Sequence, residues 1–513
     1  MDQPLDIVIL GGGTAGWMAA AGLGALLPPS RCRIRLVESD EIGIVGVGEA
    51  TLPHIKNFND SIGIDEAEMM RATNATFKLG IHFVDWGFKG SSYIHPFGVH
   101  GDAQSGLGFH HQWRRALAAG RDWDIQDFSF ACMAASANRF DFPAVGKPTV
   151  NSTYSYAYHF DASLYAKYLR QLVEARGVER IEGKVREVEQ HPETGDIQAL
   201  ILESGEPVAG QFFIDCSGFR SLLLAGKLGV GWDDWSKWLP CDRALPVPTE
   251  RCGELTPYTR VSAMDAGWRW RIPLQHRTGN GYVFSSRFVD EDKARDELLR
   301  DLDEPVLAEP RLLKFQAGRR TQSWQRNCVA LGLSSGFLEP LESTSIYLIQ
   351  IAIMHLLELL PTARHDRRLV DEFNLRMDLE YERIRDFLIL HYHLNSRHDT
   401  ELWRYCAAMD VPDSLRRRMA LFRHSGIVEP YRDGLFTPPS WLSVYVGQGL
   451  TPEHYSPLAD AAPLTRTLKE LEGLREDIRD RVDEMPKHST FLGRYADARR
   501  ADETQLREAE VRL

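Results

Sequence analysis

A glycine-rich turn between a buried strand and a helix constrains this chain more than any other feature. Asp6-Ile7-Val8-Ile9-Leu10 reads as a short strand, and it runs straight into Gly11-Gly12-Gly13-Thr14-Ala15-Gly16. The run Trp17 to Leu27 is helix-like, and Ile34-Arg35-Leu36-Val37 forms a second strand that ends at Glu38. Strand, G-x-G-x-x-G, helix, strand and acid is the order a dinucleotide fold requires. Gly11 permits the tight turn, Gly13 lets the backbone approach a pyrophosphate, and Gly16 allows close helix–strand packing. The helix N-terminus supports phosphate charge, and Glu38, about 20 residues on, can bind ribose hydroxyls. Without that context the loop would be only a tight turn in an α/β sheet.

Two features favour FAD over NAD. The motif lies at the extreme N-terminus of a long chain. A later strand, Phe212-Phe213-Ile214-Asp215, is followed by Cys216-Ser217-Gly218 and looks like the second flavin-contacting segment of FAD monooxygenases. No second strand-flanked fingerprint is visible, since Gly226-Lys227-Leu228-Gly229-Val230-Gly231 has the wrong spacing. With no NAD(P)H domain in view, the electrons are expected from elsewhere.

The formal net charge of −12 argues against a polyanionic partner, because nucleic-acid binding needs a basic surface. Seven scattered cysteines without a C-x-x-C pair fit free thiols in a reducing cytosol and offer no zinc site. Asp2 and Asp6 stand where a signal peptide would be basic. The most apolar run, Ile346 to Leu360, carries Gln350, His355 and Glu358, so no membrane span is expected. A cytoplasmic, soluble protein is the expectation.

At 513 residues the chain suits several domains or one elaborated fold. Strand-like and helical patterns alternate to about residue 345. Beyond Ser343, Ile346 to Leu360, Asp371 to His393 and Asp413 to Phe422 have apolar residues at helical spacing, and Leu464 to Val482 reads as a charged, solvated flank. The expected fold is α/β: a Rossmann-type, flavin-monooxygenase-like FAD domain with a substrate-facing β-sheet over 1–345, then a helical substrate-covering subdomain over 346–513.

Three segments have both a plain and a chemical reading. Thr76 to Phe83 alternates Phe77, Leu79, Ile81 and Phe83 with Thr76, Lys78, Gly80 and His82, which suits a half-exposed strand with Lys78 on its wet side. Trp268 and Trp270 at i, i+2 suit one packed strand face. Glu342 precedes a helix whose start is marked by Pro340 and the cap candidates Ser343 and Thr344, where an acid is favoured by the helix dipole.

In order and spacing, these segments resemble the flavin-dependent halogenases of the tryptophan-halogenase family. Trp268-Arg269-Trp270-Arg271-Ile272-Pro273 matches W-x-W-x-I-P, and Phe337 to Thr344 matches most of F-x-x-P-x-x-S-x-G, with Ser345 where that element has glycine. Gly46-Val47-Gly48-Glu49-Ala50-Thr51-Leu52-Pro53 resembles the family's flavin-contacting loop. The resemblance implies cofactor contacts at Gly11, Gly13, Thr14, Ala15, Gly16, Glu38, Ala50 and Leu333. It makes Lys78 the essential lysine, which polarises hypohalous acid as an ammonium or carries halogen as an amine, and it sets Glu342 opposite. Halide falls at the Thr344–Ser345 backbone. The W-x-W-x-I-P segment is placed near the flavin, where it disfavours direct monooxygenation of substrate.

His95-Pro96-Phe97 resembles the family's aromatic clamp for an indole ring, and Tyr445 falls in its C-terminal substrate stretch. Members that bind free tryptophan use a tyrosine pair and a following glutamate there. Residues 443–449 offer one tyrosine and no acid in register, so free tryptophan is not the expected substrate. The resemblance thus implies an FADH2-dependent halogenase that forms hypohalous acid from a flavin hydroperoxide and chloride or bromide, then halogenates an indole-like aromatic. A separate flavin reductase supplies FADH2, no metal, nucleic acid or membrane is involved, and a homodimer is allowed. The alternatives are a two-component flavin hydroxylase and a flavoprotein without turnover.

Overall fold

The computed structural model describes residues 4–42, 48–102, 106–146, 148–360, 366–432 and 434–495. The chain packs as two compact units, each assembled from three segments: 1–75, 160–243 and 312–382 in the first, and 76–159, 244–311 and 383–513 in the second. This interleaving differs from one linear division at 345. Linear reading locates elements but not their partners, and here partners are hundreds of residues apart.

The first unit is built on a six-stranded sheet, ordered Trp324–Gln325, Cys328–Ala330, Phe212–Asp215, Leu5–Leu10, Cys32–Glu38, Glu179–Glu182. All neighbouring pairs are parallel except the Trp324–Gln325 edge. Ile7, Val8 and Ile9 have no exposed surface, as expected of a central parallel strand covered on both faces. Leu10 lies level with Val37 on one side and Asp215 on the other, so three parallel strands end together where an early neighbour and a late one flank the first strand. Such a switch point is where open α/β sheets bind ligands.

Helix Thr14–Leu26 leaves this edge and packs against helices Ala162–Glu174 and Thr344–Leu359. Gly22 lets the last of these approach, since a β-carbon there would lie 2.7 Å from Ile353 Cγ2.

The second unit carries a mainly antiparallel sheet that includes, in order, Arg243–Thr249, Thr278–Phe284, Gly267–Pro273, Tyr258–Met264, Gly80–Val84 and Ser92–Pro96. Around it are helices Phe109–Ala118, Phe130–Ser136, Glu401–Ala408, Asp413–Ser425, Pro438–Gly447 and Leu464–Glu484. The expected helices are present as Thr344–Leu359, Arg367–His393, Asp413–Ser425 and Leu464–Glu484. The last is more than a solvated flank. It buries Leu471, Ile478 and Val482, packs on Phe130–Ser136, and sets Arg475 on Asp127. All seven cysteines are buried thiols, and no helix among the described residues is long and apolar enough to cross a membrane.

Candidate active site

In the first unit the glycine loop closes the end of the sheet. The Gly11 N–H donates to the Val37 carbonyl and the Cys216 N–H to the Leu10 carbonyl, both at 2.8 Å. Gly11 has φ +112°, and a β-carbon there would fall 2.3 Å from the Cys216 carbonyl oxygen. Gly13 is the helix N-cap, no side chain caps the first turn, and a β-carbon on Gly13 would meet nothing within 4 Å. The open approach therefore lies over Gly13, in front of free helix N–H groups. Glu38 turns its carboxylate to the same loop: a β-carbon at Gly12 would lie 1.3 Å from Oε2, while Oε1 accepts from Arg180 Nε at 2.7 Å.

Two later segments join this edge. Asp215 does not project as a ligand. Its carboxylate accepts from the Ser217 hydroxyl and from the N–H groups of Ser217, Leu223 and Leu224, which anchors the strand end. The Leu331 N–H donates to the Asp215 carbonyl and the Ser334 hydroxyl to the Gly218 carbonyl, so the turn holding Leu333 lies beside Cys216-Ser217-Gly218. A β-carbon on Gly332 would be 2.9 Å from Ala15 Cβ, which puts this turn against the glycine loop as well. Ala50 is buried at the end of strand Gly48–Ala50, while Gly46 and Val47 of the expected flavin loop lie outside the described residues. A glycine loop open over Gly13, a helix N-terminus and an anchored acid at the end of the sheet fit a dinucleotide such as FAD.

The same unit holds Glu342 in a strained turn. Glu339 and Ser343 both adopt left-handed backbone, at φ 66° and 58°, and both Glu339 and Glu342 are fully buried. Non-glycine residues in this region are costly and cluster at functional sites. Ser343 occupies the N-cap of helix Thr344–Leu359 but makes no side-chain cap bond, so the expected hydroxyl cap is not used. Thr344 is buried and Ser345 half-buried in the first turn. Tyr347 donates to Glu380 at 3.1 Å one turn on.

In the second unit the strand expected over Thr76–Phe83 changes partners in its middle. Thr76–Lys78 pairs antiparallel with Ala157–His159, while Gly80–Val84 pairs with Tyr258–Ser262 and Ser92–Pro96. Leu79 makes the switch: its N–H donates to the Pro257 carbonyl and its carbonyl accepts from Phe97, each at 2.7 Å. Lys78 therefore sits at the junction of two ladders. The wet face expected for it does not exist, because Thr76 and Lys78 have no exposed surface. The Lys78 Nζ lies 5.0 Å from the Phe97 ring centre. A buried ammonium needs such polarisable neighbours and partners, whereas a surface lysine does not.

Two histidines brace this junction. Thr76 donates its hydroxyl to the Pro273 carbonyl at 2.7 Å and contacts His159 Nδ1 at 3.0 Å, while His159 Nε2 contacts the Thr259 hydroxyl at 3.0 Å. Because the Thr76 proton is committed, His159 carries its own proton on Nδ1 and accepts at Nε2. Burial, with Lys78 and His488 nearby, holds the His159 pKa well below normal. His488 accepts from the Phe77 N–H at 3.2 Å and contacts the Leu255 carbonyl through Nδ1 at 2.9 Å. Burial lowers its pKa to about 4, so it too is neutral.

The remaining expected contacts lie in this unit. His95 is buried, with its ring 5.7 Å from that of Phe387, and Phe97 is buried beside Lys78. Trp268 and Trp270 share one inner face, 6.1 Å apart, while Arg269 and Arg271 point the other way toward Asp301, Asp303 and Glu304. Tyr445 is in the helical core, stacked on Phe422 at 4.2 Å with 1% of its surface exposed.

Residues 6–464 match the sequence profile of the family described as tryptophan halogenase. The chain belongs to the tryptophan-halogenase family. It is 35% identical over 518 residues to the tryptophan 6-halogenase SttH of Streptomyces toxytricini, covering 96% of this chain and 98% of that one. The structure of BrvH, a flavin-dependent halogenase from Brevundimonas sp. BAL3, superposes with TM-score 0.93 at 45% identity, covering 96% and 99% of the two chains. A flavin-dependent halogenase from Xanthomonas campestris superposes with TM-score 0.93 at 47% identity, with the same coverage. This tryptophan-halogenase family member is thus a flavin-dependent enzyme with the α/β architecture of those structures. Its sequence did not point to Glu339, His159 or His488. An isolated glutamate or histidine has no local pattern, and the contacts that distinguish these three come from distant segments.

Proposed function

We propose that this halogenase attaches chlorine or bromine to a small indole-like aromatic, using FAD as FADH2 from a separate flavin reductase. The observation that carries this reading is the complete burial of Lys78 at the ladder junction, beside the Phe97 ring. Gly11, Gly13, Thr14, Ala15, Gly16, Glu38, Ala50 and Leu333 would hold the dinucleotide. Bound and reduced, the flavin supplies the electrons that, with oxygen, turn halide into an electrophile. The helix start at Thr344 and Ser345, which Ser343 leaves uncapped, offers N–H groups to halide.

Lys78 directs hypohalous acid at Nζ, by hydrogen bonding or as a haloamine. His95 and Phe97 hold the aromatic ring. The ring carbon bonds to halogen as the oxygen–halogen bond breaks, and the departing hydroxide takes a proton from the Lys78 ammonium and leaves as water. The proton released when the C–H bond breaks goes to a carboxylate, the role the family resemblance gives Glu342. Burial excludes water from Lys78, which protects the oxidant from side reactions. Tyr445, packed on Phe422, shapes its helix from within.

Electron supply gives one test. The purified protein with FAD, NADH, bromide and an indole is expected to form no product until a flavin reductase is added. Rapid NADH oxidation by the protein alone would contradict the assignment.

Substrate choice gives another. The helix Pro438–Gly447 lacks a tyrosine pair and a following acid, so a free amino acid would lose hydrogen bonds to charged groups, about 1.5–3 kcal/mol each. In one tube, indole is expected to be halogenated faster than tryptophan, with attack at the electron-rich C3. Dominance of one benzene-ring isomer of halotryptophan would show that this stretch is misread.

A further inference from the structure

A cavity within the second unit contains a buried polar group that neither fold nor proposed chemistry uses. It lies between strand Ser92–Pro96, the turn at Asp124–Gln126 and helix Pro438–Gly447, with a volume of about 90 Å³. His100 lines it with 3% of its surface exposed, and among the described residues neither ring nitrogen has a hydrogen-bond partner. Most buried polar groups are paired, because an unpaired one costs stability.

The other polar groups on the wall are occupied. Gln126 accepts from the Ile94 N–H at 2.7 Å and donates to Asp124 Oδ2 at 3.2 Å, and Ser443 donates to the Pro439 carbonyl at 2.7 Å. Burial, together with His95 and His110 nearby, lowers the His100 pKa to about 3, so the ring is neutral. It therefore offers one N–H donor and one nitrogen acceptor. The charged group on the wall is the Asp124 carboxylate at the exposed side, and none of the described residues lining it is a lysine or an arginine.

We infer that this cavity receives the polar tail of the aromatic substrate, and that the tail ends in an amine, with His100 as its inner hydrogen-bond partner and Asp124 as its countercharge. The inference rests on the halogenase reading above and narrows its substrate class. Tyr93 lines the cavity and stands two residues before the clamp residue His95 on the same face of strand Ser92–Pro96, so a ring held at His95 and Phe97 is within a short tail's reach. An anionic tail would face Asp124 without a cation to pair with, whereas an ammonium gains an acceptor at each end. His100 is thus a specificity-determining residue.

The test uses the full-length protein with FAD, a flavin reductase and bromide, and compares kcat/KM for tryptamine, indole-3-propionate and indole. Tryptamine is expected to exceed indole-3-propionate by about tenfold or more. In His100→Phe, and separately in Asp124→Asn, that ratio is expected to fall to within about threefold of unity, a loss expected when a charged tail loses a partner. The ratio is measured within each variant, so a change in the active fraction cancels. Calorimetric titration of the unmodified protein with the same compounds should rank tryptamine first, and it decides the matter if a variant is insoluble. Equal handling of the two tailed substrates, or an unchanged ratio in His100→Phe, overturns the inference. Indole separates the two failures: if indole is not brominated, the halogenase reading fails, whereas brominated indole without tail discrimination defeats only this assignment.

Discussion

Lys78→Ala is expected to abolish halogenation while FAD binding and reoxidation of reduced flavin by oxygen stay nearly unchanged. Lys78 belongs to a different compact unit from the glycine loop and the segments around Asp215 and Gly332, so its loss leaves the cofactor cradle intact. The backbone of Thr76–Lys78 still pairs with Ala157–His159 whatever the side chain, which keeps the junction in place. What disappears is a cation buried beside Phe97. Lys78→Met keeps most of the volume without the charge, so it separates lost chemistry from a lost packing element. Product would be measured by mass spectrometry and flavin reoxidation by absorbance in the same sample. Retention of a tenth of the activity, about 1.4 kcal/mol of lost transition-state stabilisation, would reduce Lys78 to a structural residue.

Gly11→Val is expected to eliminate flavin binding and to destabilise the fold, whereas Gly13→Val should weaken flavin binding with much less effect on melting temperature. The contrast follows from what surrounds each glycine. At Gly11 the backbone is left-handed and the new β-carbon would strike the Cys216 carbonyl, which the Cys216 N–H bond to Leu10 keeps in place. Strain of about 1–3 kcal/mol from the dihedral alone adds to that clash. At Gly13 the first side-chain atom meets no protein atom within 4 Å, so any obstruction is to a ligand. Titration of FAD against each variant should show affinity reduced by about a hundredfold or more, near 2.7 kcal/mol. If Gly13→Val binds FAD as the unmodified protein does, the pyrophosphate does not pass over this loop.

The cofactor entrance was legible because its strand, turn, helix and acid fall within a few dozen consecutive residues and each has its own local requirement. The helices beyond residue 343 were legible for the same reason, their apolar period being local. The Lys78 segment was half legible. Its strand character was visible, but alternation implies a wet face only when one side of a sheet is open, and here Pro273, His159 and Phe97 close it. Nothing near Glu339 or Ser343 in sequence signals left-handed backbone, a conformation more usual for glycine or asparagine. The position of Tyr445 along a family stretch implies a substrate contact. In the helix, its spacing from Trp441 puts it on the apolar face, and Phe422 completes the stack.

The interleaving of the two units bears on how the protein must be made. During synthesis the glycine-loop strands leave the ribosome early, but the last segment of their unit ends only at Glu382. At about 5–20 residues per second, the interval between Ala75 and Glu382 lasts about 15–60 s. Over that time the apolar strand Ile7–Leu10 is without Cys328–Ala330 in its sheet, and helix Thr14–Leu26 is without Thr344–Leu359 at Gly22. The nascent chain thus keeps apolar surface of both elements uncovered until its final third appears. A fragment ending at 345 would lack residues 346–382, the second half of the closing segment of one unit, and the largest segment of the other. Slower translation, cooler expression or added chaperone should therefore raise the yield of folded enzyme more than shortening the chain.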